Sequence, residues 1–131
     1  MVLLDQYKYD LQQYAPQLED LESALGREAK NNRLAEIEEH MNAPDFWNNG
    51  YKSAAVMKEM KTLKAELERF DGIKSRYDDL LTLIDMAVEE NDDDLAAEVE
   101  EEYAVFVKDI DDYRVSTLLS GEFDRLDAIL R

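Results

Sequence analysis

Carboxylates dominate the side chains able to do chemistry here: 32 Asp and Glu stand against 15 Lys and Arg, with one histidine and no cysteine. Acid-rich helical bundles can hold two metal ions, but that chemistry needs Glu-x-x-His on two helices, so that carboxylate and imidazole project inward together. His40 follows Glu36, Ile37, Glu38 and Glu39, which puts an isoleucine where the glutamate is required, and no second histidine exists. The run Asp92-Asp93-Asp94 has neither the Asp-x-Asp-x-Asp-Gly order nor the sixth-position glycine of a calcium loop, and reads as a helix-capping turn. No glycine-rich phosphate loop and no serine-histidine-acid arrangement is present. Without cysteine there is no thiolate nucleophile, thiolate metal site or disulfide. The sequence therefore predicts no catalytic, cofactor-binding or metal-binding residue: a non-enzymatic chain.

The formal net charge is −17, unevenly spread. From Asp78 through Val107 there is no Lys or Arg, while Asp78, Asp79, Asp85, Glu89, Glu90, Asp92, Asp93, Asp94, Glu98, Glu100, Glu101 and Glu102 all fall there. Nucleic-acid binding rests on a basic footprint that releases counterions, so little direct nucleic-acid contact is expected. Two readings of the charge stay open: a surface for a basic protein partner, or a face that only keeps the domain soluble and monomeric. The first residues, Met1-Val2-Leu3-Leu4-Asp5, lack the basic start and long apolar run of a signal peptide. No stretch approaches the apolar length of a membrane span. A cytoplasmic monomer with no membrane contact is the expectation.

The elements follow from apolar spacing. Four glycines and two prolines punctuate 131 residues, and between them apolar residues recur every three or four, the seam of packed helices. The first seam runs Leu4, Tyr7, Leu11, Tyr14, Leu18, Leu21, Leu25, with Pro16 marking a kink or a fresh start. It resumes out of phase at Leu34, Ile37 and Met41, predicting a bend or break after Gly26, and Asn42-Ala43-Pro44-Asp45 ends the helix. A second seam, Val56, Met60, Leu63, Leu67, Phe70, Ile73, Tyr77, Leu80, Ile84, Val88, predicts one long helix from Tyr51 to Glu90, with Asn48 or Asn49 as its cap and Gly72 as a weak point. After a turn at residues 91–94, a third seam runs Leu95, Val99, Tyr103, Phe106, Ile110, Tyr113 to about Leu118, where Ser120-Gly121 breaks it. Burying three single stripes against one another gives an all-α fold, an elongated three-helix bundle or antiparallel helical hairpin with a bent N-terminal helix. The helical domain is expected over residues 1–119, with 120–131 as a junction segment.

Tyr7, Tyr14, Tyr77, Tyr103 and Tyr113 lie on the seams and are expected in the core. Phe46-Trp47 lies off them, in the loop after Pro44-Asp45. The pair is read as a clamp on the helix-to-helix corner in preference to a contact surface, because large aromatics seldom stay exposed without reason.

Asn31-Asn32-Arg33-Leu34-Ala35-Glu36-Ile37, then Pro44-Asp45-Phe46-Trp47-Asn48, then Leu118-Leu119-Ser120-Gly121-Glu122-Phe123-Asp124, in this order and spacing, resemble the N-terminal domain of the bacterial peptide chain release factor 2 family. The proline-aspartate-aromatic-tryptophan corner points to factor 2 rather than factor 1. Gly50 departs from the pattern, since relatives often carry proline there, and the rigidity of the corner is what that departure touches. The resemblance covers essentially the whole chain. It implies a non-catalytic arm that docks the factor at the stalk base of the large ribosomal subunit, near the eleventh large-subunit ribosomal protein, and is linked to the GTPase release factor 3. It also implies that the Ser-Pro-Phe stop-codon reader and the Gly-Gly-Gln loop for peptidyl-tRNA hydrolysis lie in later domains absent from this chain. A free-standing acidic helical adaptor competing for the same ribosomal surface, or a self-associating coiled coil, are the alternatives.

Overall fold

The computed structural model describes residues 3–118, and among these every regular element is helical. The order is α1 (Leu4–Gln12), α2 (Ala15–Leu25), α3 (Arg27–Met41), a 3-10 turn (Phe46–Asn48), α4 (Gly50–Glu90) and α5 (Asp93–Thr117). The all-α expectation holds, and the bent N-terminal helix resolves into three. No helix among the described residues is long and apolar enough to cross a membrane. The junction expected over 120–131, and the segment containing Ser120-Gly121, lie outside the described residues.

Each break has a local cause. Pro16 is the second residue of α2, in the first turn, where its missing N–H would have had no partner anyway, so a fresh start replaces the kink. Gly26, at φ +67°, stands between α2 and α3 in the left-handed region that a Cβ disfavours. Its carbonyl accepts from the Lys30 amide at 3.0 Å, and the Lys30 ammonium donates to the part-buried carbonyl of Leu25 that ends α2. Asn49 caps α4, its Oδ1 accepting from the Lys52 amide at 3.1 Å. Asn91 ends α4 in the left-handed conformation (φ 51°), one of the few side-chain types that tolerates it. The Asp92 carboxylate then accepts from the amides of Asp94 and Leu95, with Asp93 and Asp94 in the first turn favouring the positive end of the α5 dipole.

The chain forms two compact units. The first combines the stretch up to Glu19 with that from Gly72 onward, so that α1, the C-terminal half of α4 and α5 surround Leu11, Ile73, Leu80, Ile84, Val99, Phe106 and Ile110, all essentially inaccessible to solvent. Aromatics stitch it together. Tyr7 meets Tyr103 edge-on at 5.1 Å, and Tyr14 meets Phe106 at 5.3 Å and 87°. Burial pushes the Tyr103 hydroxyl up to about 12, helped by the charges and hydroxyls of Tyr14, Asp10 and Tyr7. Lys8 to Asp85 and Arg76 to Glu102 add ion pairs at 3.0 and 3.2 Å. The second seam departs from expectation at its end: Ala87 is fully buried, whereas Val88 is 51% exposed.

The second unit is Asp20–Asp71. Leu25, Ile37, Leu67 and Phe70 are its buried apolar residues, and Ser53 is buried with its hydroxyl donating to the Gly50 carbonyl at 3.2 Å. Cations on α3, at spacings of three, reach carboxylates that descend α4: Arg27 to Asp71, Lys30 to Glu66 and Arg33 to Glu59. That descending order is the signature of an antiparallel pair of helices.

Candidate functional site

The corner between α3 and α4 is the most distinctive surface of the second unit. After Met41 the chain leaves the helix through successive tight turns, with the amides of Asn42, Ala43, Phe46 and Asn48 donating to the carbonyls of Glu39, His40, Ala43 and Asp45. These turns place Phe46 and Trp47 edge-to-face, ring centroids 4.7 Å apart at 86°. Phe46 is half-buried and lines a cavity of about 400 Å³ with His40, Ala43, Asn49 and Val56. Trp47 remains 57% exposed and Tyr51, in the first turn of α4, 93% exposed. The two roles weighed for the pair thus divide between its members: Phe46 fills the corner, and Trp47 rests on it facing outward.

Arg33 fixes this corner electrostatically. Its guanidinium grips Glu59 in a two-point fork, 2.7 and 2.8 Å, and also donates to Glu36 at 3.2 Å. The fork holds the Glu59 carboxyl below its ordinary range, chiefly through the hydrogen bond, and raises Arg33 in turn. Lower on α3, Arg27 is shared by Glu22 and Asp71 and lies 6.0 Å from the Phe70 ring centre, within cation–π range. These are exposed or half-exposed pairs, so they set register more than they add stability.

No three His, Asp or Glu side chains gather as metal ligands among the described residues. His40 is exposed at the end of α3, and the Asp92 to Asp94 run is occupied in capping α5. Tyr7, Tyr14, Tyr77, Tyr103 and Tyr113, expected in the core, are each half-buried rather than fully buried. A feature the seams did not reveal is the solvent side of α4, where Lys58, Lys61 and Lys64 recur every three residues, and that spacing was the available signal.

The family model of the PCRF domain matches residues 30–131. Among curated proteins, peptide chain release factor 2 of Streptomyces avermitilis is 32% identical over 121 residues, 92% of this chain and 33% of the relative. Release factor 2 of Staphylococcus epidermidis is 32% identical over 97% of the chain and 34% of its own length, and that of Clostridium perfringens 34% identical over 86% and 31%. The likeness to release factor 2 read from the loop motifs therefore holds, and the chain spans about a third of the length of the curated relatives it matches. With most of its residues inside the matched region, the chain belongs to the PCRF domain family.

Proposed function

We propose that this chain is the N-terminal domain of a class I translation termination factor, and that it positions the factor on the ribosome by docking a helical surface at the stalk base. The observation that carries this reading is the likeness to release factor 2 along 92% of the chain but only 33% of that protein. A helical segment of this size with no assembled reactive centre among its described residues suits a positioning arm, leaving codon reading and peptidyl-tRNA hydrolysis to the other two thirds. In this reading residues 1–119 are the arm and 120–131 lead into the next domain. The domain works in the cytoplasm as a monomer, makes little direct nucleic-acid contact, and performs no bond chemistry itself.

Electrostatics supports the direction of docking. The stretch from Asp78 to Val107 carries twelve carboxylates and no cation, which complements a basic protein such as the eleventh large-subunit ribosomal protein. Attraction of that kind accelerates encounter and weakens with salt. The partner GTPase, release factor 3, would then act on a factor already held at this site.

Deleting residues 1–117 from the intact factor tests the proposal. Association with ribosomes and the response to the partner GTPase should both fall, while hydrolysis per bound factor persists. A deleted factor that associates and responds as the full one does would overturn it.

A further inference from the structure

The first half of α4 carries two seams. The inward one, Val56, Met60, Leu63, Leu67 and Phe70, is half-buried to buried, as a core seam must be. On the opposite side of the same helix, Tyr51, Ala54, Lys58, Lys61, Ala65 and Glu68 recur in strict steps of three and four, and every one is exposed. Ala54, Met57, Met60, Ala65 and the three lysines line a shallow groove of about 650 Å³ that has Glu68 at one end. All of this lies within the second unit.

Its charge is anomalous. Among the described residues, Lys52, Lys58, Lys61, Lys64 and Lys74 have no carboxylate within salt-bridge distance, and all five are on α4. In a chain with 32 acids and 15 bases, three uncompensated lysines on one face form a cationic stripe in an otherwise acidic molecule.

We propose that this face of α4 docks an acidic amphipathic helix of a protein partner. Three-and-four spacing is the geometry on which a second helix lies along the first. Ala54 and Ala65 allow its backbone close. Lysine stems can cover its apolar stripe while their ammonium groups meet carboxylates at its edges, and Tyr51, 93% exposed, supplies an aromatic anchor at one end. A second copy using this same face would set Lys58, Lys61 and Lys64 against themselves. An RNA backbone would engage the lysines but gain nothing from the alanine and methionine floor, and it would approach a chain of net charge −17. The inference stands independently of the ribosomal docking proposed above.

The test uses the 131-residue chain. The probe is a fluorescent synthetic helix of roughly three heptads, with leucine along one seam and glutamate beside it. Controls are a shuffled peptide of equal composition, a short single-stranded RNA, and sedimentation of the chain alone. The helix should bind, shift amide resonances over residues 51–68, and weaken roughly tenfold in Lys58→Glu/Lys61→Glu/Lys64→Glu. The shuffled peptide should bind roughly tenfold more weakly than the ordered one. Circular dichroism checks the triple variant's fold, and Lys61→Glu alone replaces it if that fold is lost. The proposal is overturned by no binding at about 1 mM, by equal binding of the shuffled peptide or the variant, by tighter binding of RNA, or by a dimer that the charge reversals dissolve.

Discussion

Phe106 is the side chain on which the first unit most depends. It is fully buried on α5, meets Tyr14 edge-to-face at 5.3 Å, and lies 6.0 Å from Tyr77 on α4, so one ring joins α5, α4 and the turn between α1 and α2. Phe106→Ala removes that burial and leaves a cavity flanked by stiff aromatics, which together cost about 3–5 kcal/mol. Of this, roughly 0.5–1.5 kcal/mol per aromatic pair is ring geometry rather than area, so Phe106→Leu, which keeps most of the burial but forgoes both pairs, should lose about 1–3 kcal/mol. Urea unfolding followed by far-ultraviolet circular dichroism gives the readout. With a slope of about 1.5 kcal/mol per molar, the alanine variant's midpoint should fall by roughly 2–3 M. Neighbouring Val105 is 43% exposed, and Val105→Ala should stay within about 0.5 kcal/mol of the parent. A Phe106→Ala loss below about 1 kcal/mol, or equal losses at both positions, would refute the packing described.

Asp92→Ala removes the acceptor for the amides of Asp94 and Leu95 and should cost about 1 kcal/mol by the same assay, with Asp92→Asn nearly neutral. Tyr103, raised to about 12 against an ordinary 10.0, contributes stability that is complete below pH 10 and is lost as pH climbs from 10 toward 12. Burial also raises Tyr7 and Tyr77, so an absorbance titration should show several late-ionising tyrosines, of which the latest disappears in Tyr103→Phe. Glu59 is depressed, so its contribution is complete above its ordinary value of 4.5 and is lost as pH falls through its lowered folded value. Carboxyl NMR should place Glu59 below that value in the parent and return it toward 4.5 in Arg33→Met.

Helix boundaries were legible because their causes are local. Pro16, Gly26, the Asn42 to Asp45 run and the acidic turn before Leu95 each act through their own backbone, and each ends or starts a helix where the sequence places it. The seam of α4 ends on a small residue for a physical reason. From Ile73 through Tyr77, Leu80 and Ile84 the steps alternate four, three, four, so the next is three and lands on Ala87; reading for bulk selected Val88, which faces water. Only the end of α1 was less legible, since residues 13 and 14 carry no glycine and the break there depends on the proline two residues on. The α3 to α4 ion pairs were invisible, because Arg33 and Glu59 are 26 positions apart and only the antiparallel pairing brings them together. The division of labour between Phe46 and Trp47 depended on tight-turn geometry that composition does not specify.

The central claim, that this chain docks on the ribosome without chemistry, is tested most directly by mixing the 131-residue chain with purified large ribosomal subunits and measuring co-sedimentation in competition with an intact release factor 2. Association that weakens with salt, displacement by the intact factor, and no hydrolysis of peptidyl-tRNA above background are expected. Failure to associate at low salt, or association that the intact factor leaves undisturbed, would contradict it.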